Sequence, residues 1–174
     1  MNPNWLTEDE LAAWVRMAAL LELLPGVLDS QLRRDAQLSH FEYYVLAMLS
    51  EAPDRTLRMT SLAARTNATL PRLSHVVSRL SDRGLVARYC AADDKRATDV
   101  RLTRAGWAKV RATAPGHVAN VREHVIDTLS AEQIGQLAAI TDAILRKLDP
   151  AGAMSPVGRD SLKRARTAGP AAGT

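Results

Sequence analysis

Three basic side chains recur at helical spacing in the middle of the sequence. Arg72, His75 and Arg79 are three and four residues apart, so an α-helix places them on one face. Ser78 lies on the same side of that helix. Guanidinium and imidazole groups can donate hydrogen bonds to guanine edges, and a major groove ~12 Å wide admits one helix. This face could therefore read DNA; a basic face that is merely solvated is the alternative.

A second charged group lies in the tip of a predicted β-hairpin over residues 85–102. Its loop, 91–97, carries Asp94, Lys95 and Arg96 in succession. A projecting arginine can enter a narrow minor groove, whose negative potential attracts it. The carboxylate of Asp94 can hold either that guanidinium or the loop backbone. The alternative is a charged turn that only prevents edge-to-edge aggregation of the hairpin.

Charge is distributed unevenly along the 174 residues, whose net value is +4. Residues 55–104 carry 11 Lys and Arg against 4 Asp and Glu, and residues 150–174 carry 4 against 1. The remainder, 1–54 and 105–149, carries 8 against 14. A basic region between acidic flanks is typical of a module that binds a polyanion.

The basic face belongs to a predicted helix over 69–83. Thr69 can cap its N-terminus, Pro71 falls harmlessly in its first turn, and Gly84 follows where a left-handed residue commonly ends a helix. Its apolar side chains occupy about one third of the circumference, opposite the basic face. They are Leu70, Leu73, Val76, Val77 and Leu80.

Two shorter helices precede it. A capping box at Ser39 predicts a helix over 39–51, and Thr60 is expected to cap a short helix over 61–66. The turn that follows contains Asn67, a residue type that tolerates left-handed backbone. A helix, a tight turn, a second helix and a hairpin, in this order, predict a winged helix-turn-helix.

Long helical patterns flank this module. The first, over 7–35, opens with a capping box, and Pro25 is expected to kink or interrupt it. A second helix is predicted after Thr103 with a break at Pro115, and a third begins at another capping box at Ser130. The first helix is longer than one side of a small domain requires, so we expect it to contact a partner surface.

The sequence resembles the MarR family of bacterial transcriptional regulators. The most specific part is the wing, Asp-Lys-Arg-Ala followed by Leu-Thr-Arg-Ala-Gly, whereas the helix-turn-helix pattern alone fits many regulators. In place of the acidic or His residue and the Pro that commonly precede the wing tip in the family, this chain has Ala91-Ala92. The segments that carry the resemblance are 38–46, 62–67, 73–86 and 94–106.

This resemblance implies a mainly α-helical fold with a small β-hairpin wing and N- and C-terminal dimerisation helices. It implies a homodimer in which 1–37 and 105–149 form the dimerisation region and 38–104 the DNA-binding domain, followed by a flexible basic tail, 150–174. Arg72, Ser74, His75 and Arg79 would lie in or beside the major groove. Arg96 would enter the minor groove, supported by Asp94. By family habit the function is repression at a pseudo-palindromic operator.

The resemblance also implies a small, often phenolic effector bound between the winged helix and the dimerisation helices. Aromatic walls with a cation could hold an aromatic acid there. As alternatives, the same residues are ordinary core or dimer-interface positions. Cys90, the single cysteine, is either a redox sensor or a strand residue with a packing role. The candidate effector residues are Trp14, Arg16, His40, Tyr43, Tyr44 and Met48.

Several other classes of protein find little support in the sequence. One cysteine excludes a disulfide framework, and His117 and His124 without a third ligand make a weak metal site. We find no enzyme motif, no cofactor loop, no signal peptide and no apolar run of about 20 residues that would cross a membrane. We therefore expect a cytoplasmic DNA-binding protein. The alternative is a winged-helix module used for protein or RNA contacts.

Overall fold

The computed structural model describes residues 4–91, 94 and 96–154, and most of the basic tail lies outside this part of the chain. The fold is mainly α-helical with a small antiparallel sheet, as the sequence predicts. The helices are α1 (Glu8–Ala36), α2 (His40–Glu51), α3 (Met59–Arg65), α4 (Leu70–Asp82), α5 (Arg104–Val121) and α6 (Ala131–Leu148). The strands are β1 (Thr56–Arg58), β2 (Val86–Cys90) and β3 (Thr98–Leu102).

The sheet has three strands in the order β1-β3-β2, one more than the predicted hairpin. β2 and β3 form the hairpin, and β1 pairs antiparallel with the free edge of β3. Arg58 lies opposite Asp99, and the two side chains form an ion pair at 3.8 Å. A three-residue strand has too few residues for an alternating pattern, so β1 could not be read from the sequence.

One hydrophobic core joins α2, α3 and α4 to the sheet. Leu73, Val77 and Leu80 of α4 are fully buried and belong to the same cluster as Leu46 of α2 and Val100 of β3. The apolar face predicted for α4 therefore packs inward, apart from Leu70, which is half exposed. Its opposite face is left to solvent, and this orientation makes the basic side chains available.

Helix ends follow local sequence in most places. The three predicted capping boxes, at Thr7, Ser39 and Ser130, are all present, and Thr69 caps α4. One prediction is wrong: α3 begins at Met59, not after Thr60, and has no side-chain cap. The chain passes directly from β1 into α3, so Thr60 already lies within the first turn.

The predicted break at Pro115 is wrong, and Pro25 does not interrupt its helix. Pro25 lies inside an unbroken α1, and Pro115 lies inside an unbroken α5. Pro25 and Pro115 are both exposed, so water can solvate the carbonyl that loses its partner, and the disturbance stays local. Helix α5 continues past Pro115 and ends where a π-helical segment, Arg122–Ile126, begins.

Helix α1 is long and apolar enough to cross a membrane by length and composition, which corrects the expectation from the sequence. Trp14 and Leu23 are 51% and 70% exposed in the single chain. Helix α6 buries none of its residues, and Leu148 is 75% exposed. Apolar surface of this extent is typical of a contact region.

Gly106, in the first turn of α5, is packed against the end of β3. A Cβ at this position would lie 2.0 Å from the carbonyl oxygen of Leu85 and 2.7 Å from Cδ1 of Leu102. We expect Gly106→Ala to lower the free energy of unfolding by about 3 kcal/mol, measured by urea denaturation.

Gly135, within α6, provides the matched control for this substitution. A Cβ there meets nothing within 4 Å. Nothing in the single chain opposes a Cβ there, so Gly135→Ala should lower the free energy of unfolding far less than Gly106→Ala does. Equal effects of the two substitutions would contradict the close packing at Gly106.

Candidate nucleic-acid interface

The exposed face of α4 carries every residue that the sequence assigned to the major groove. Arg72, Ser74, His75, Ser78 and Arg79 are all exposed, whereas the apolar side chains between them are buried. Thr69 fixes the start of the helix by accepting a hydrogen bond from the backbone of Arg72 at 3.5 Å. The helix therefore presents a continuous polar and basic strip to solvent.

Neighbouring residues of α2 contact two of these arginines. The Arg72 guanidinium stacks on the ring of Phe41, 4.3 Å from its centroid. Nη2 of Arg79 lies 3.3 Å from Oε1 of Glu42. Sequence reasoning missed both contacts, because Phe41 and Glu42 carried only helix-capping and core signals.

The wing loop is organised by Asp94. Its Oδ1 accepts a hydrogen bond from the backbone N–H of Arg96 at 2.9 Å, and its carbonyl accepts one from Ala97 at 2.9 Å. Of the two roles predicted for this carboxylate, the geometry corresponds to holding the loop backbone. The side chain of Arg96 is exposed. Lys95 lies outside the described residues.

Two further arginines lie on the hairpin strands, and one of them ties the hairpin to this surface. Arg88 of β2 donates from Nη2 to the backbone carbonyl of Ser74 at 2.7 Å, which ties the hairpin to α4. Arg101 of β3 donates to the hydroxyl of Tyr89 at 2.6 Å. The sequence did not assign these arginines to the site. The only feature of the sequence that could have indicated them is their position in the two predicted strands.

The sequence profile of the MarR family matches residues 37–97, from the start of α2 into the hairpin. The crystal structure of Sco3205, a MarR family transcriptional regulator from Streptomyces coelicolor in complex with DNA, is 42% identical in sequence with a TM-score of 0.81. The alignment covers 86% of this chain and 93% of Sco3205. The chain belongs to the MarR family.

Two other relatives are similar to this chain and support its place in the family. AbsC, a MarR family transcriptional regulator from Streptomyces coelicolor, is 34% identical with a TM-score of 0.79, covering 84% of this chain and 98% of AbsC. The HTH-type transcriptional repressor YetL of Bacillus subtilis (strain 168) is 27% identical over 125 residues, 67% of this chain and 74% of YetL. MarR-family members are transcriptional regulators, so this chain is a regulator and not an enzyme.

The predicted effector residues of this MarR-family chain lie in several places. Trp14 is half exposed on α1, and Arg16 donates to the carbonyl of Ala12 at 2.8 Å. The hydroxyl of Tyr44 donates to the carbonyl of Arg65 at 3.2 Å, and Met48 packs against the core.

His40 and Tyr43, the other two predicted effector residues, meet a third ring. The ring of His117 on α5 lies 4.8 Å from that of Tyr43 and 6.4 Å from that of His40. Burial lowers the pKa of both imidazoles; Asp29 opposes this for His40, and the charge of His40 adds to it for His117. Nδ1 of His117 is buried without a hydrogen-bond partner. The cluster therefore favours neutral histidines.

Acid should destabilise this MarR-family fold through the histidine cluster. Because folded pKa values lie below the ordinary value near 6.5, the unfolded chain binds more protons, and stability rises with pH. Stability is full above about pH 6.5 and is lost as pH falls through the folded pKa values. We expect His117→Phe to reduce by a few degrees the fall in Tm between about pH 7.5 and pH 5.5.

His75→Asn, which replaces an exposed histidine on α4, serves as the control for this measurement. An unchanged fall in Tm in His117→Phe would contradict the assignment of the acid sensitivity to the cluster.

A cavity of about 570 Å³ lies between α1 and the end of α5. Gln31 and Asn120, which line it, are 5% and 9% exposed. Oε1 of Gln31 and Nδ2 of Asn120 have no hydrogen-bond partner, although buried polar atoms normally have one. None of the six predicted effector residues lines this cavity. Within the described residues, no cluster of three or more His, Cys, Asp or Glu could hold a metal ion.

Proposed function

We propose that the chain is a homodimeric repressor that binds a pseudo-palindromic operator. The predicted helix 69–83, observed as α4, enters the major groove, and the wing 91–97 reaches the minor groove. The observation that carries this proposal is the exposed strip of Arg72, His75 and Arg79 on a helix whose opposite face is buried. The DNA complex of Sco3205, a relative 42% identical to the chain, supports it.

The exposed apolar surfaces of α1 and α6 support the homodimer. A second copy would cover side chains that a single chain leaves in water, and a two-fold axis would pair the same surfaces on both copies. The acidic balance of residues 1–54 and 105–149 would turn these helices away from DNA and direct the basic domain, 38–104, toward it. A soluble regulator of this kind acts in the cytoplasm.

A small phenolic effector is consistent with the cavity at Gln31 and Asn120. A phenol hydroxyl both donates and accepts, so it could satisfy the unpaired Oε1 of Gln31 and Nδ2 of Asn120. Leu23 and Val27 supply an apolar wall for the ring. Because the cavity lies between helices of the proposed dimerisation region, a bound effector could change the spacing of the two DNA-binding domains. Repression itself is the activity named for YetL.

Fluorescence anisotropy with the DNA upstream of the chain's own gene tests this function. If each subunit neutralises ~4 phosphates, the logarithm of the affinity should fall with the logarithm of the salt concentration with a slope of about −7. Binding that is independent of salt, or equal for any DNA sequence, would contradict operator recognition. A protein or RNA ligand bound in its place would favour the other use of a winged helix.

A further inference from the structure

The first turn of α2 contacts the basic surface of α4 through two adjacent residues. Phe41 stacks on Arg72, and Glu42 pairs with Arg79 at 3.3 Å and with Arg83 at 4.0 Å. The arginines on the proposed DNA-reading helix therefore rest on a neighbouring helix.

Glu42 is suited to hold arginines in place because its own position is fixed. It is buried, and its Oε2 accepts the backbone N–H of Ser39 at 2.8 Å in the capping box of α2. The hydroxyl of Ser39 accepts the backbone N–H of Glu42 in return, at 3.1 Å. A carboxylate anchored in this way gives the two guanidinium groups a fixed point of attachment.

Both contacts leave donors free for DNA. A guanidinium has five N–H donors, and the ion pair of Arg79 with Glu42 is made through Nη2. Stacking on Phe41 uses the flat face of the Arg72 guanidinium and leaves its N–H edge available. Hydrogen bonds to bases require that edge and not the face.

Prior orientation has an energetic consequence for recognition. A free arginine has many rotamers, and ordering it on binding reduces affinity. If the arginines are already held by contacts within the protein, the entropy cost of ordering them is incurred on folding and not on DNA binding. We propose that Phe41 and Glu42 are positioning residues that set the direction of Arg72 and Arg79, and that sequence discrimination depends on them although neither lies on α4. This inference rests on the proposed function.

Glu42→Gln is the sharpest test. Glutamine can keep the capping box, since an amide oxygen also accepts the Ser39 N–H, but it removes the charge that holds Arg79 and Arg83. The wild-type protein first selects a preferred operator from a random-sequence DNA pool. The ratio of its affinity for that operator to its affinity for the unselected pool is then measured for each variant. We expect this ratio to fall at least tenfold in Glu42→Gln, with pool affinity equal or higher because a negative charge is removed.

Glu10→Gln is the matched control. Glu10 occupies the same position in the capping box of α1, so the substitution changes the same charge at the same kind of site, away from α4. Its ratio should equal that of the wild type. Phe41→Leu, which keeps apolar volume but removes the stacking surface, should also lower the ratio.

A double-mutant cycle separates positioning from a general structural effect. In an Arg79→Ala background, Glu42→Gln should lower the ratio much less than in the wild type, because the residue it orients is gone. A wild-type ratio in Glu42→Gln, an equal fall in Glu10→Gln, or full additivity in the cycle would overturn the inference while leaving the proposed function intact. A wild-type protein that selects no sequence would remove the proposed function and this inference together.

Discussion

Replacing Arg72 and Arg79 together by alanine should reduce operator affinity about a thousandfold. A well-oriented arginine pair with a guanine contributes ~1–3 kcal/mol of discrimination, and a dimer would present two copies of each side chain. Removing four such arginine–guanine pairs, each at the lower end of that range, amounts to about 4 kcal/mol, or roughly three decades in affinity. Both side chains lie on the solvent side of α4, so the core is not disturbed.

Anisotropy titration against the selected operator measures this effect. The double substitution Arg122→Ala and Arg146→Ala removes the same charge from positions outside the basic region and should cost far less affinity. Urea denaturation of both variants checks that the fold is retained. Sequence-specific binding that survives in the Arg72→Ala, Arg79→Ala protein would exclude this face as the reading surface.

The second large effect is expected at the surface of α6. Ile140 is more than half exposed in the single chain, and the proposed dimer would bury it twice, once in each copy. Burying an isoleucine contributes about 1.5–3 kcal/mol, and an unpaired carboxylate at the same place costs more. Ile140→Asp should therefore yield monomers in sedimentation velocity and lower operator affinity about a hundredfold or more, because a monomer can engage only one half-site.

Leu70→Asp is a suitable control for this experiment. Leu70 is also about half exposed, but it lies in the first turn of α4, where an acidic residue is favourable to the helix. The oligomeric state of Leu70→Asp should equal that of the wild type. A dimeric Ile140→Asp protein with wild-type affinity would contradict the assignment of α6 to the dimer interface.

Local interactions explain why so much of the fold followed from the sequence. Capping boxes at Thr7, Ser39 and Ser130 involve residues three apart, so their presence in the sequence nearly determines the helix starts. The left-handed backbone at Asn67 and Gly84 follows in the same way from residue type. β1 depends instead on pairing with β3, about forty residues later in the chain, and no local pattern signals it.

In the candidate interface, too, local features could be predicted from the sequence and long-range contacts could not. Helical periodicity alone predicts which side of α4 is exposed, because burial of Leu73, Val77 and Leu80 fixes the rotation of the helix. The contacts of Phe41 with Arg72 and of Glu42 with Arg79 join residues far apart in sequence, and only the packing of α2 on α4 reveals them.

The candidate effector cavity could not be predicted from the sequence, because residue types alone do not show which buried polar groups lack a hydrogen-bond partner. The sequence draws attention to aromatic side chains such as Trp14 and Tyr44, which do not line this cavity. The cavity is marked by two buried amides with unpaired atoms, Gln31 and Asn120. Whether an amide finds a partner depends on tertiary packing, which residue type does not reveal.

Selection of DNA from a random-sequence pool by the wild-type protein, followed by sequencing, tests the central claim most directly. A homodimer reading with α4 and the wing predicts an enriched inverted repeat whose half-sites are centred about 10 base pairs, one helical turn, apart. The enriched site should lose affinity in the Arg72→Ala, Arg79→Ala protein. Failure to enrich any sequence, or enrichment of a single asymmetric site, would contradict the account.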